Sequence, residues 1–298
     1  MSWRRARPSK SGLPTCYIRN SLDNRRAGLP QLLQVYPMVN TPKETADETS
    51  GAWIVHHGQK LQADQDGASE FPALDGAAKS GLLLAGLAAS EQSTLGREEV
   101  IAVAKNARLN PKTELDFYLT QLKARQVIDV TASGAVSVLG VNSRQVLRET
   151  ARLFEGLEPT SQERAALDLA ETTSSSPKKV GDEAARLSDA FKLAKTDATD
   201  FLRRAQEIGF VDSEGDGADR LLFNGNLFRR EGVKKTKAIL DSLKVDEQAR
   251  VTEVAGSLKQ SGCLEVARVR RVLGDDLFEK LRAAGFYDVS VVSKRRTA

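Results

Sequence analysis

Cysteine, histidine, methionine and aromatic residues are all scarce in this 298-residue chain, with two Cys, two His, two Met and only 5% Phe, Trp and Tyr together. Each shortage excludes something. Cys16 and Cys263 lie far apart, and no CxxC or Cys/His ligand spacing occurs. That pattern argues against a structural zinc and for a reducing compartment. His56 and His57 are the only imidazoles, so any Ser-His-Asp or Cys-His site would have to use one of them, and nothing around them supports it. Few aromatics leave little to stack on unpaired RNA bases. No Walker-type or Rossmann-type glycine pattern stands in a strand-to-helix context. No apolar run reaches the eighteen or so residues that a membrane span needs, and "SGLLLAGLAAS" reads as a buried helix. These absences predict a protein that is not an enzyme, holds no cofactor or metal and does not enter a membrane. The Arg-rich start "MSWRRARPSKSGLP" has no apolar segment behind it, so no secretory leader is expected and the expected location is the cytoplasm.

What is present is ordinary for a globular chain: 40% apolar and 28% charged residues, rich in Ala and Leu, with a net charge of +4. The charge is unevenly spread. Residues 231–298 carry 14 basic against 10 acidic side chains, while residues 151–230 carry 12 against 15. An anionic partner should therefore favour the C-terminal third.

Residues 1–52 lack apolar periodicity and predict a disordered or loosely attached extension. Met38 precedes "VNTPKETADETSGAWIV", which reads as a polar N-terminus, so residues 1–37 are expected to be dispensable. "AWIVHHGQKLQ" reads as a strand with a turn at His57-Gly58.

From residue 75 a pattern appears. "LDGAAKSGLLLAGLAAS" places Ala77, Leu82, Leu84 and Ala85 at helical spacing, and "GREEVIAVAKNARL" begins a second helix after Gly96. "NPKTELDFYLTQLKARQ" reads as a third, with Asn110 as N-cap and Pro111 at its first position. Two β-branched runs around Ser133-Gly134 then predict a hairpin. The end of this pattern recurs. Helices stop at Gln126, Gly209 and Gly285; an apolar pair follows each, and then Asp129, Asp212 and Asp288. A stop tolerant of left-handed backbone followed by a strand explains the recurrence. Three helices precede the second copy, with Thr160 or Ser161 and Thr196 or Asp197 as caps of the first and third. Three or more precede the last copy. After "FYDVSVVS" the last copy has no second hairpin strand, so that strand must come from elsewhere, or the module closes differently or is truncated.

The acid-rich "DSEGDGAD" near the second copy resembles a calcium loop only at its start, because position 12 from Asp212 is Phe223 where a glutamate is needed. It reads as a hairpin tip, with Asn224-Gly225 as a further tight turn. Asp275-Asp276 read as charges at a helix N-terminus.

This order of helices and hairpins over residues 53–293 resembles the tandem winged-helix superfamily. The resemblance implies a mainly α fold with small β-hairpin wings, in modules at 53–142, 143–230 and 231–298, the last with an incomplete wing. Members of that superfamily act as DNA-binding regulators or as protein–protein assembly modules, and fold alone does not choose between them. The leading expectation is a transcription regulator binding double-stranded DNA. Its candidate contacts are Lys112, Thr113, Lys123, Arg125, Lys192, Lys195, Thr196, Thr199, Arg203, Arg268, Arg271, Lys280 and Arg282. The alternative is an assembly scaffold that meets partner proteins through its wings and through residues 221–230 as an exposed strand. The oligomeric state is left open.

Overall fold

The computed structural model describes residues 15–20, 42–90, 92–225, 230–261 and 263–292. The chain forms two compact units, Leu29–Asn224 and a second made of Met1–Gly28 with Gly225–Ala298. Both are mainly helical, with small antiparallel sheets. The strand β1 (Thr15–Asn20) belongs to the second unit and is taken up with it.

The Leu29–Asn224 unit opens with α1 (Pro42–Leu61), α2 (Gln65–Glu70) and α3 (Pro72–Ala88). The stretch expected as a strand at 52–62 is, up to Leu61, the second half of α1, and residues 42–51 of the expected loose extension form its first half. Burial shows why. Gly51, Ile54, His57, Gly58 and Leu61 point inward while Val55 and Lys60 are only partly covered, which is helical period and not alternation. His57 and Gly58, at positions that apolar side chains usually mark, had disguised it. Next come α4 (Arg97–Asn106), α5 (Leu115–Ala124), the strands β2 (Ile128–Val130) and β3 (Val136–Val138), and α6 (Ser143–Gly156). Helices α1, α3 and α6 pack on one another. Gly51 makes the α1–α6 approach possible, since a Cβ there would overlap the backbone carbonyl of Leu147.

The expected second copy follows as α7 (Ser161–Ser175), β4 (Lys178–Lys179), α8 (Val180–Phe191), α9 (Lys195–Ile208), β5 (Asp212–Glu214) and β6 (Leu221–Phe223). Trp53 Nε1 on α1 donates to Glu171 on α7 at 2.9 Å, and one apolar core runs from Ile54 to Leu222. The expected boundary at 142/143 therefore falls inside a single unit. Residues 221–223 are not an exposed strand: Leu221, Leu222 and Phe223 are buried because β6 is the middle strand of its sheet. Residues 226–229 lie outside the described residues.

The second unit holds α10 (Val233–Asp241), α11 (Val245–Ser261), β7 (Leu264–Glu265), α12 (Val266–Leu273), α13 (Asp275–Ala283) and β8 (Tyr287–Val292). Its core is separate and built on Val254, Leu258, Val269, Phe278 and Leu281. The sheet runs β7-β1-β8, with β1 antiparallel to both neighbours. Residues 15–20 are thus part of a sheet, against the expectation that 1–37 can be dispensed with. A six-residue segment has no period long enough to announce itself.

The helix stops agree with the sequence reading: Gln126, Gly209 and Gly285 have φ of 59°, 85° and 80°. Thr160 caps α7, its hydroxyl accepting from Glu163 N at 3.2 Å. Two other caps differ. α5 starts at Leu115 because Asn110 heads a turn instead, with its side chain accepting from Lys112 N at 3.0 Å and its carbonyl from Glu114 N at 2.9 Å. α9 starts after Ala194, so Thr196 and Asp197 lie in its first turn.

Candidate interaction surface

One arrangement recurs three times. A strand residue, two helices and two further strand segments follow each other, and the first strand pairs with the last of the set. In the first repeat Leu95 bridges to Val136, followed in chain order by α4, α5, β2 and β3. In the second, β4 pairs with β6 and β6 with β5 around α8 and α9. In the third, β7 and β8 flank α12 and α13, and β1 holds the place of the missing last strand. The second helix of each pair (α5, α9 or α13) presents one face to the core and one outward. Leu115, Tyr118, Leu119 and Leu122 bury one side of α5, which leaves Asp116, Phe117, Thr120 and Lys123 exposed.

The thirteen expected contact residues are not alike in their surroundings. Lys112 and Thr113 are exposed in the turn before α5. Lys123 is committed to the adjoining hairpin, donating to Val130 O at 2.8 Å beside Asp129 at 3.2 Å. That same contact holds the Asp129 carboxyl below the usual range. Arg125 donates to the Arg152 carbonyl at 3.0 Å, tying α5 to α6. Lys192 ends α8 in left-handed backbone, and Lys195 and Thr196 open α9. Thr199 Oγ1 donates to the Lys195 carbonyl at 2.9 Å. Arg203 pairs with Glu207 at 2.8 Å and Asp200 at 3.6 Å. Its neighbour Arg204 is held by Asp64 and Glu70 at 3.2 and 2.8 Å.

In the second unit, Arg268 and Arg271 are exposed on α12. Arg270 is occupied by Asp275 and Glu279 and lies over the Phe278 ring at 4.5 Å. Lys280 donates to Ser242 Oγ at 2.8 Å, and Arg282 pairs with Glu279 at 3.0 Å. The expected cations thus divide into a paired set on the helix faces and an exposed set, Lys112, Lys192, Lys195, Arg268 and Arg271, with no ion pair among the described residues.

Each outward helix also carries an exposed acid near its middle or start: Asp116, Asp200 and Glu279, with side chains 77%, 70% and 47% exposed. Phe117 beside Asp116 is 53% exposed. Between α5 and the β2–β3 hairpin lies an open groove of about 510 Å³, lined among others by Arg97, Asp116, Thr120, Lys123 and Thr131. Arg97 and Asp116 pair across it at 3.0 Å. Asp116 and Phe117 were missed as candidates, although the signal was present. In "LDFYL" only one of two adjacent aromatics can share the side that Leu115, Leu119 and Leu122 bury. Among the described residues no group of three or more His, Cys, Asp or Glu is placed to hold a metal ion, and no helix is long and apolar enough to cross a membrane.

Comparison with protein-family models, with curated proteins and with solved structures gives no match.

Proposed function

We propose that the chain is a non-enzymatic assembly module of three tandem winged-helix repeats that docks a protein partner on α5 and the adjoining wing. The observation that carries this reading is the charge arrangement of the outward helices. A helix entering a DNA groove brings its middle close to two phosphate backbones, so an exposed carboxylate there is repelled and cations already paired must leave their partners. Asp200 and Glu279 stand near the middle of α9 and α13 and Asp116 in the first turn of α5, each against an arginine of its own unit, and Lys123, Arg203 and Arg282 are paired likewise. An exposed Phe beside a mixed-charge groove suits a protein surface, where aromatic anchors carry much of the binding energy.

One observation favours duplex DNA as a second reading. Lys112 and Lys192 are exposed in the turns that lead into α5 and α9, and Lys195 is exposed at the first position of α9, where a helix-turn-helix meets phosphates. Titrating short duplexes at rising salt separates the two. Assembly predicts weak binding with a shallow salt slope, unchanged by Lys192→Ala with Lys195→Ala. A slope steep enough to cost roughly a thousandfold between 50 and 200 mM salt, flattening in that double variant, would establish the DNA reading instead.

A further inference from the structure

The third repeat is assembled from both ends of the chain. In the first two repeats the middle strand of the sheet, β3 or β6, follows its neighbour through a hairpin a few residues long. In the third, the middle strand is β1, and almost the whole sequence separates it from β7 and β8. No hairpin joins β1 to either partner. Yet its register is extensive: all six residues pair with β8, from Thr15↔Val292 to Asn20↔Tyr287, and Tyr17 and Ile18 also pair with Glu265 and Leu264.

We propose that the gap between β7 and β8 is a strand-acceptor site, and that residues 15–20 of a second copy of this chain fill it as well as the chain's own, giving a strand-exchanged dimer. Three features support this. The middle strand supplies buried apolar surface in the other repeats, as Val136 and Leu222 do, so an empty gap would expose both core and two rows of unpaired backbone groups. The pairing is made by backbone hydrogen bonds, which a strand in trans reproduces in full. Exchange of an identical element adds no new interface and costs only the concentration term, the common route to swapped dimers. The acceptor is independent of the groove beside α5, so a failure here leaves the assembly reading untouched.

The register supplies the test. Cys16 stands opposite Val291, and directly opposed residues in an antiparallel pair bring their Cβ atoms to a distance a disulfide can close. A full-length chain with Val291→Cys and Cys263→Ser, oxidised with diamide, should form an internal 16–291 disulfide. A donor chain keeping Cys16 (Cys263→Ser) is then refolded together with an acceptor chain (Cys16→Ser, Cys263→Ser, Val291→Cys). A mixed disulfide, possible only in trans, should appear and grow with protein concentration. An internal disulfide without the mixed one overturns the exchange, and the absence of both overturns the acceptor site. If a variant loses its cooperative melt, Thr15→Cys with Val292→Cys in a Cys16→Ser, Cys263→Ser background repeats the test one register position away.

Discussion

Glu163→Ala is expected to lower the unfolding free energy of the Leu29–Asn224 unit by about 4 kcal/mol, and its Tm by roughly 10 °C. The Glu163 side chain is almost wholly buried, and one carboxylate serves two helix starts. Oε1 accepts from Ala73 N at 2.7 Å and Leu74 N at 3.0 Å, at the beginning of α3, where Phe71 offers no side-chain cap. Oε2 accepts from Thr160 N at 2.8 Å and from the Thr160 hydroxyl at 3.1 Å, at the beginning of α7. Its negative charge also faces the positive ends of both helix dipoles. Alanine leaves the Ala73 and Leu74 amides without an acceptor in a region closed to water, strips the acceptor from the Thr160 amide at a partly exposed helix start, and adds a cavity. Glu163→Gln keeps the shape but turns a donor towards one of the two helix starts, so it should cost about half as much. Urea unfolding of the three proteins measures both numbers. A loss below about 1 kcal/mol for the alanine variant would mean that the two helix starts are held by something else.

The same unit should lose about 2.6 kcal/mol of stability between pH 7 and pH 4.5 through His57. Its ring is fully buried on α1, 4.2 Å from Phe210 between centroids, with Nε2 donating to the Ala166 carbonyl at 3.3 Å. Nδ1 has no partner, so a second proton would be buried without an acceptor. Burial first, then the neighbouring His56 and Lys60, push its pKa down to about 3, and the Ala166 hydrogen bond opposes them. The unfolded chain takes up this proton near pH 6.5, long before the folded one does. Stability is therefore full above about pH 6.5 and falls by roughly 1.4 kcal/mol per pH unit on the way down to about pH 3. His56, also lowered by burial and Lys60, acts in the same direction. Carboxylates with lowered pKa, such as Asp64 and Glu99, begin to add their losses only near pH 5 and below, so the slope between about pH 6.5 and 5 isolates the imidazoles. His57→Phe should flatten that slope whatever it does to stability at pH 7. An unchanged slope would place the titrating group elsewhere.

These two residues also show where the sequence could be read and where it could not. Helix ends were legible because a left-handed stop is a local requirement, met by Gly209, Gly285 and, less obviously, Gln126. The hairpin at Ser133-Gly134 was legible for the same reason, with Gly134 at φ 79°. Glu163 was not, since its partners at Ala73 and Leu74 lie 90 and 89 positions away and no local pattern predicts a cap supplied by another helix. α1 was misread because His57 and Gly58 occupy core positions that apolar residues usually mark. β1 was invisible, but the gap it fills was not: the lone strand after Gly285 left a strand from elsewhere, a different closure or truncation open, and β1 is the first of these. Among the expected contact residues, sequence revealed the positive charges and not their pairing, since Arg203 with Glu207 or Arg282 with Glu279 is a matter of side-chain geometry.

The central claim is that the outward face of α5 meets protein and not nucleic acid, and a photo-crosslinking residue in place of Phe117 tests it most directly. In native extract the account predicts a discrete protein adduct that resists nuclease and disappears when Thr120→Arg alters the same exposed face. Adducts removed by nuclease, or none at all from position 117, would contradict it.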